Sequence, residues 1–151
     1  MIEIIPYESK FQPAFKQLNL AWLDKYNLTE SHDLEILDDP DGTVIARGGL
    51  IFLAVEGEEV IGTLGLWKEN EEEYELIKMT VAPEWQGKGI SKILLVRCLD
   101  EARRKNAKKI FLYSNSQLKT ALALYLKFGF QHVEVKDAPF QTADVKMELV
   151  L

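Results

Sequence analysis

Hydrophobic and polar positions alternate at the start of the chain and then change to a helical spacing. Residues 1–7 (MIEIIPY) alternate, which is typical of a strand with one buried face. In residues 13–26, apolar side chains recur every three or four positions, which predicts an amphipathic helix. Residues 31–42 predict a second, shorter helix that is capped by Ser31 and stopped by Pro40.

The rest of the pattern predicts mainly strands. Two β-rich runs occupy residues 48–68, and the polar, glycine-containing turn at 56–59 indicates a hairpin between them. The later predicted elements are a strand at 74–83, a helix at 86–106, a strand at 108–115, a helix at 117–130 that ends at Gly129, and two strands at 132–135 and 143–151 that are expected to pair. The strand–helix–strand order in the middle requires a parallel pair, whereas hairpins are antiparallel, so a mixed sheet is predicted.

Length, composition and charge are those of an ordinary globular domain. The chain has 151 residues without a repeat or a linker, which predicts a single domain over 1–151. Its formal net charge of −6 argues against a nucleic-acid partner. Neither a signal peptide nor a run long and apolar enough for a membrane helix is visible, so a cytoplasmic location and no membrane partner are expected.

Cysteine and histidine positions do not predict a metal site. The single cysteine, Cys98, excludes an internal disulfide, and its helical spacing with Leu94 and Ala102 predicts a buried thiol. His32 and His132 are isolated and lack the spacing of metal ligands. No metal is therefore expected.

Two glycines stand where the long helix begins, in the segment APEWQGKGISKILL (residues 82–95). Glycine is a poor helix former, so Gly87 and Gly89 at this point indicate a turn that exposes backbone amides. The first turn of a helix carries free N–H groups and a positive dipole end, and both favour phosphate groups. The segment therefore predicts a phosphate-binding turn, with a merely tight glycine turn as the alternative.

Two familiar phosphate motifs do not fit this segment. A P-loop requires glycine where Ala82 stands and Ser or Thr where Gly89 follows the lysine. A dinucleotide fingerprint requires a third glycine at the position of Lys92. Neither motif explains the turn.

The segment MTVAPEWQGKGIS (79–91) and a second block, ALALYLKFGF (121–130), together resemble the GNAT superfamily of N-acetyltransferases. The resemblance follows the order of the elements along the whole chain, although the specific motifs lie mainly within 75–130. It implies an α/β (α+β) fold of three layers, in which about four helices flank a central, mixed and twisted sheet of about six to seven strands. It also implies that the turn binds the diphosphate of acetyl-coenzyme A, the co-substrate.

Carried over position by position, the resemblance implies a set of cofactor-binding residues. They are Met79, Val81, Gln86, Gly87, Lys88, Gly89, Ile90, Ser91, Asn115 and Tyr125. The chain departs from the family pattern at Ser91, where Gly or Ala is usual, and at Leu118, where an asparagine is common. Asn115 lies three residues before Leu118, which leaves open whether it replaces that asparagine.

The resemblance implies two catalytic side chains. Tyr125 corresponds to the family tyrosine that protonates the departing coenzyme A sulfur, whereas its spacing alone is that of a core tyrosine. Glu75 lies eleven positions before Gln86, where some family members have a general base. The alternative interpretation is that Glu75 is only a solvent-exposed carboxylate in an acidic run.

These features predict an N-acetyltransferase that acetylates a primary amine of a small molecule, peptide or protein. The alternatives are a noncatalytic acyl-coenzyme A-binding or sensing module and an acyltransferase with another acyl donor; a homodimer also remains open. Four aromatic residues are candidate walls of the acceptor site: Trp22, Tyr26, Trp67 and Phe140. Basic residues cluster in 84–109 and acidic ones in 68–75, which predicts a basic cofactor side, an acidic acceptor rim and hence a cationic acceptor.

Overall fold

The computed structural model describes residues 1–136, 138 and 141–151, and its strands form one mixed sheet. The strands are β1 (Ile2–Pro6), β2 (Leu50–Glu56), β3 (Glu59–Lys68), β4 (Glu73–Val81), β5 (Lys109–Ser114), β6 (Gln131–Val133) and β7 (Val145–Val150). The α-helices are α1 (Gln12–Lys25), α2 (Ser31–Asp38), α3 (Ile90–Arg104) and α4 (Lys119–Lys127). The sheet order is β1-β2-β3-β4-β5-β7-β6, with β4 and β5 parallel. The predicted fold class, the parallel pair and the paired final strands are therefore confirmed.

The central strands are buried on both faces, which gives the molecule two cores. Successive side chains of a strand point to opposite faces. Accordingly, Phe52 and Ala54 of β2 pack in the core beneath α3 and α4. Ile51 and Leu53 pack in the core beneath α1 and α2. The sheet is thus the middle layer of three.

Two of the differences between the predicted and the observed helix boundaries have a clear physical reason. The long helix begins at Ile90 rather than at residue 86, because Gly87 and Gly89 have φ angles of +78° and +79° that a helix does not allow. Residues 83–85 form a single 3₁₀ turn before them. The cap of α2 is Glu30 rather than Ser31, since Glu30 and Asp33 form a reciprocal capping box.

β4 carries a β-bulge in its second half. The ladder pairs Gly65 with Ile77 and Thr63 with Thr80, so Lys78 and Met79 together face one residue of β3. Lys78 has a φ of +54°, a left-handed conformation that is unfavourable for a residue with a long side chain. The sequence does not predict this bulge.

An ion pair between Lys78 and Asp33 connects the bulge to α2. Both side chains are almost completely buried, with exposures of 6% and 3%. The second carboxylate oxygen of Asp33 accepts a hydrogen bond from the Glu30 amide at 2.9 Å. Removing one partner of a buried pair takes a strong, charge-assisted contact away from a group that is shielded from water, which is destabilising.

We expect Asp33→Asn to lower the free energy of unfolding by about 3 kcal/mol or more, measured by chemical denaturation. Asp38→Asn is the matched control, because the Asp38–Lys16 pair joins the same helix to α1 but is largely exposed. Its loss should cost less than about 1 kcal/mol. Equal effects of the two substitutions would contradict a structural role for the buried pair.

Candidate active site

A cavity of about 120 Å³ lies where β4 and β5 separate. The two strands pair only from Glu73 with Lys109 to Glu75 with Phe111. Beyond these pairs, residues 76–79 of β4, residues 112–114 of β5 and the following Asn115 line the cavity. Side chains of α1, α2 and α4 and residues 142–143 form the remaining walls.

The cavity brings together some of the predicted site residues and not others. Met79, Asn115 and Tyr125 line it, as does Leu118 at the position of the family asparagine. The turn at 86–91, Val81 and Glu75 lie outside its lining. Of the four candidate acceptor walls, Trp22 lines the cavity, Tyr26 and Trp67 do not, and Phe140 lies outside the described residues.

Tyr125 is both buried and part of the cavity wall. Its ring packs against Phe130 at a centroid distance of 5.7 Å, and its hydroxyl lies 3.9 Å from the Met79 sulfur. Burial raises the pKa of the Tyr125 phenol above its usual value of 10. The hydroxyl therefore stays protonated at neutral pH and is available as a proton donor.

Glu75 is a buried carboxyl on the opposite face of β4 from the α3 core. It faces Trp67 across β3 and Phe111 across β5, and it is only 9% exposed. Burial, together with the nearby charge of Glu69, raises its pKa to about 7, although Lys78 and Lys146 act in the other direction. A carboxyl with this pKa exchanges a proton near neutral pH, as a general base must.

The glycine turn is open on its outer side. A Cβ placed on Gly87 or Gly89 meets no atom within 4 Å, so space for a ligand exists directly beside the backbone. The Gln86 side chain donates a hydrogen bond to the Val81 carbonyl at 3.1 Å and ties the turn to the end of β4. Lys88 lies over the Trp85 ring at 5.4 Å. The buried Ile90 side chain anchors the first turn of α3 in the core.

Asn115 holds the segment before β7 in place. Its side-chain amide donates a hydrogen bond to the Thr142 carbonyl at 2.8 Å, and its side-chain oxygen accepts one from the Gln117 amide at 3.0 Å. Both ends of the side chain are therefore engaged with the protein. Asn115 thus forms part of the cavity wall and ties residue 142 to the end of β5.

Glu30 fastens the same segment from the other side. Its carboxylate accepts hydrogen bonds from the Gln141 amide, the Thr142 amide and the Thr142 hydroxyl at 2.6–3.0 Å. Burial alone would raise the pKa of Glu30, but the bonds from Thr142 and Gln141 lower it overall. Sequence reasoning missed Glu30, as it missed Asp33 and Lys78, because these contacts join residues far apart in the chain.

The predicted arrangement of charges is not the one observed. The acidic turn lies at the amino end of β4, where Glu71, Glu72 and Glu73 pair with Lys68, Lys108 and Lys109. Arg103 and Arg104 lie in the last turn of α3, about 20 Å from its glycine end. Most of the basic run is therefore remote from the turn, and the expectation of a cationic acceptor loses this support.

The described part of the chain contains neither a cluster of metal-binding side chains nor a membrane-spanning helix. No group of three or more His, Cys, Asp or Glu side chains among the described residues is placed to hold a metal ion. Within the same ranges, none of the helices combines the length and apolar character needed to cross a bilayer.

Comparison with known proteins gives a consistent result. The model of the acetyltransferase (GNAT) family matches residues 13–130. The chain is 32% identical over 129 residues to the uncharacterized N-acetyltransferase YjgM of Escherichia coli K12, covering 81% of this chain and 77% of that protein. It is 28% identical over 105 residues to the uncharacterized N-acetyltransferase YvbK of Bacillus subtilis 168, covering 68% of each.

Solved structures share the fold at lower identity. A GNAT-family acetyltransferase from Staphylococcus aureus Mu50 superposes with a TM-score of 0.89 at 22% identity, covering 98% of both chains. The PaiA N-acetyltransferase of Thermoplasma acidophilum, solved in complex with coenzyme A, superposes with a TM-score of 0.78 at 19% identity. It covers 100% of this chain and 99% of that one.

The raised pKa of Glu75 predicts a pH-dependent stability. Between about pH 4.5 and 7 the unfolded chain releases the Glu75 proton while the folded chain retains it, so the free energy of unfolding falls as pH rises. Relative to Glu75→Gln, the wild type should lose up to about 3 kcal/mol between pH 4.5 and pH 8, measured by denaturation.

Glu73→Gln is the control for this measurement. A hydrogen bond from Asn70 and the contacts with Lys109 lower the pKa of Glu73, so its effect should be constant from pH 5 to pH 8. A Glu75→Gln effect that is equally constant over this range would refute the raised pKa.

Proposed function

Because the chain belongs to the GNAT family of acetyltransferases, we propose that it transfers the acetyl group of acetyl-coenzyme A to a primary amine of a small molecule or peptide. The observation that carries this proposal is the cavity between the separated ends of β4 and β5, with Tyr125 in its wall. Such a cavity exposes strand backbone groups that a parallel neighbour would otherwise pair.

The turn at 86–91 binds the diphosphate of the co-substrate in this proposal. Its backbone amides lie at the start of α3, where the helix dipole favours an anion. The open space at Gly87 and Gly89 supports this assignment, because a phosphate group can approach the backbone there without displacing a side chain. Val81 and Met79 offer strand backbone groups to the pantetheine arm, and Lys88 adds positive charge near the turn.

The chemistry of acyl transfer is divided among three groups. The Met79 amide polarises the thioester carbonyl, which stabilises the oxyanion formed on attack by the amine. As the carbon–sulfur bond breaks, Tyr125 gives its proton to the departing sulfur, and the proton that the nitrogen releases on forming the amide restores the phenol. Glu75 lies outside the cavity lining, so it takes the proton of the ammonium form through a water molecule.

Replacing Gly89 by valine should abolish coenzyme A binding measured by calorimetry. The side chain would fill the open space beside the turn, and the φ of +79° disfavours any residue with a Cβ. Gly57→Val is the matched control, because Gly57 also has a positive φ (+61°) and open surroundings but lies in the β2–β3 hairpin. If the Gly89 variant binds coenzyme A as tightly as the Gly57 variant does, the turn is not part of the cofactor site.

Tyr125→Phe should lower kcat by about 10²-fold while the affinity for coenzyme A changes little, because the hydroxyl acts only as charge develops on sulfur. The assay is release of coenzyme A across a panel of amines, with acetyl and propionyl donors. Tyr74→Phe, in the buried core and outside the cavity lining, is the control. A wild type that binds coenzyme A but acylates no amine in the panel would favour a noncatalytic sensor.

A further inference from the structure

A series of buried hydrogen bonds connects α1 to the bulge of β4. The Asn19 amide group donates to the Thr63 hydroxyl at 3.2 Å, and that hydroxyl donates to the Lys78 carbonyl at 2.6 Å. Asn19 also donates to the Phe15 carbonyl of its own helix at 2.9 Å. Asn19 is 2% exposed and Thr63 is fully buried, so water does not compete for these bonds. We call this series the Asn19–Thr63 relay.

The relay fixes the orientation of one peptide group. The Lys78 carbonyl and the Met79 amide belong to the same peptide, which is planar and trans, as no cis bond occurs among the described residues. In such a peptide the C=O and N–H bonds point in opposite directions. Because the Thr63 hydroxyl holds the carbonyl oxygen, the Met79 N–H points away from that hydroxyl. Met79 itself lines the cavity where β4 and β5 separate.

The peptide needs this support because its backbone is strained. Lys78 adopts a left-handed φ of +54°. A residue other than glycine holds this conformation only when contacts with its surroundings impose it. The Asp33 ion pair holds the Lys78 side chain, and the relay holds the Lys78 carbonyl. A hydrogen bond to the carbonyl oxygen also polarises the amide and makes its N–H a stronger donor.

We propose that Asn19 and Thr63 are positioning residues that aim and polarise the Met79 N–H toward the thioester carbonyl. This inference rests on the proposed function, since it concerns the acetyl group of the same co-substrate. Neither side chain is required to touch the reacting atoms. Their effect passes through the Lys78–Met79 peptide.

The test compares two threonines that face each other in the ladder. Thr63→Val removes the hydroxyl that holds the Lys78 carbonyl and changes the side-chain shape little. Thr80 is the cross-strand partner of Thr63 and is also buried, but among the described residues its hydroxyl has no hydrogen-bond partner. Thr80→Val is therefore a matched control, and Thr63→Ser, which keeps the hydroxyl, is the rescue.

The readout is the infrared stretch of the thioester carbonyl in bound [1-¹³C]acetyl-coenzyme A, which requires no acceptor. In the wild type the band should lie at lower frequency than in free acetyl-coenzyme A. Thr63→Val should lose most of this displacement, whereas Thr63→Ser and Thr80→Val should retain it. With an acceptor from the amine panel, Thr63→Val should lower kcat about tenfold with the KM for acetyl-coenzyme A within about twofold of wild type.

Several results would overturn the inference. A wild-type band at the frequency of the free co-substrate, or a Thr63→Val band at the wild-type frequency, contradicts it while leaving the proposed function intact. An equal loss in Thr80→Val also contradicts it. A wild type that does not bind acetyl-coenzyme A refutes the proposed function and this inference with it. If Thr63→Val does not fold, Asn19→Leu, which removes the donor to Thr63, should show a smaller loss of the same displacement, and no loss would refute the relay.

Discussion

The parallel pairing of β4 and β5 ends at Glu75 and Phe111, and the backbone groups beyond that point need other partners. The structure meets this requirement in two ways. On the β3 side, where β4 bulges, the Thr63 hydroxyl donates a hydrogen bond to the Lys78 carbonyl. On the β5 side, the strand edges line a cavity that a ligand can pair with. The proposed site follows from the point at which one strand pair stops.

The cavity stays open because separate elements are fastened to one another around it. The Asp33–Lys78 pair joins α2 to β4, and Glu30 at the start of the same helix joins α2 to residues 141–142. Asn115 at the end of β5 holds Thr142 from the opposite side. The contacts of Asp33 and Glu30 are charge-assisted, which makes them stronger than hydrogen bonds between neutral groups. The walls are thereby set before any substrate arrives, so little ordering is needed on binding.

Local physical signals made much of the fold and the glycine turn before α3 predictable. Gly87 and Gly89 indicated an exposed backbone turn because glycine adopts positive φ without strain, and the structure shows positive φ at both. The alternation and helical spacing of apolar residues predicted the strands and helices in their observed order. The family resemblance, rather than the spacing, indicated a role for Tyr125.

What the sequence did not reveal depends on contacts between distant positions. The partners Asp33 and Lys78 are 45 residues apart, and Glu30 and Thr142 are 112 apart. The bulge at Lys78 has no glycine to indicate it. The charge pattern led to a wrong prediction of where the acidic and basic residues lie for the same reason, since Lys108 and Lys109 reach the acidic turn only when β4 and β5 pair. The walls of the cavity come from two different parts of the chain. The proposed cofactor side comes largely from one continuous stretch, β4 through the start of α3, whereas α1, α2 and residues 142–143 form the opposite wall. Substitutions in that opposite wall leave the stretch from β4 to α3 unchanged. The preference for an acceptor can therefore diverge among relatives while the acyl donor stays the same.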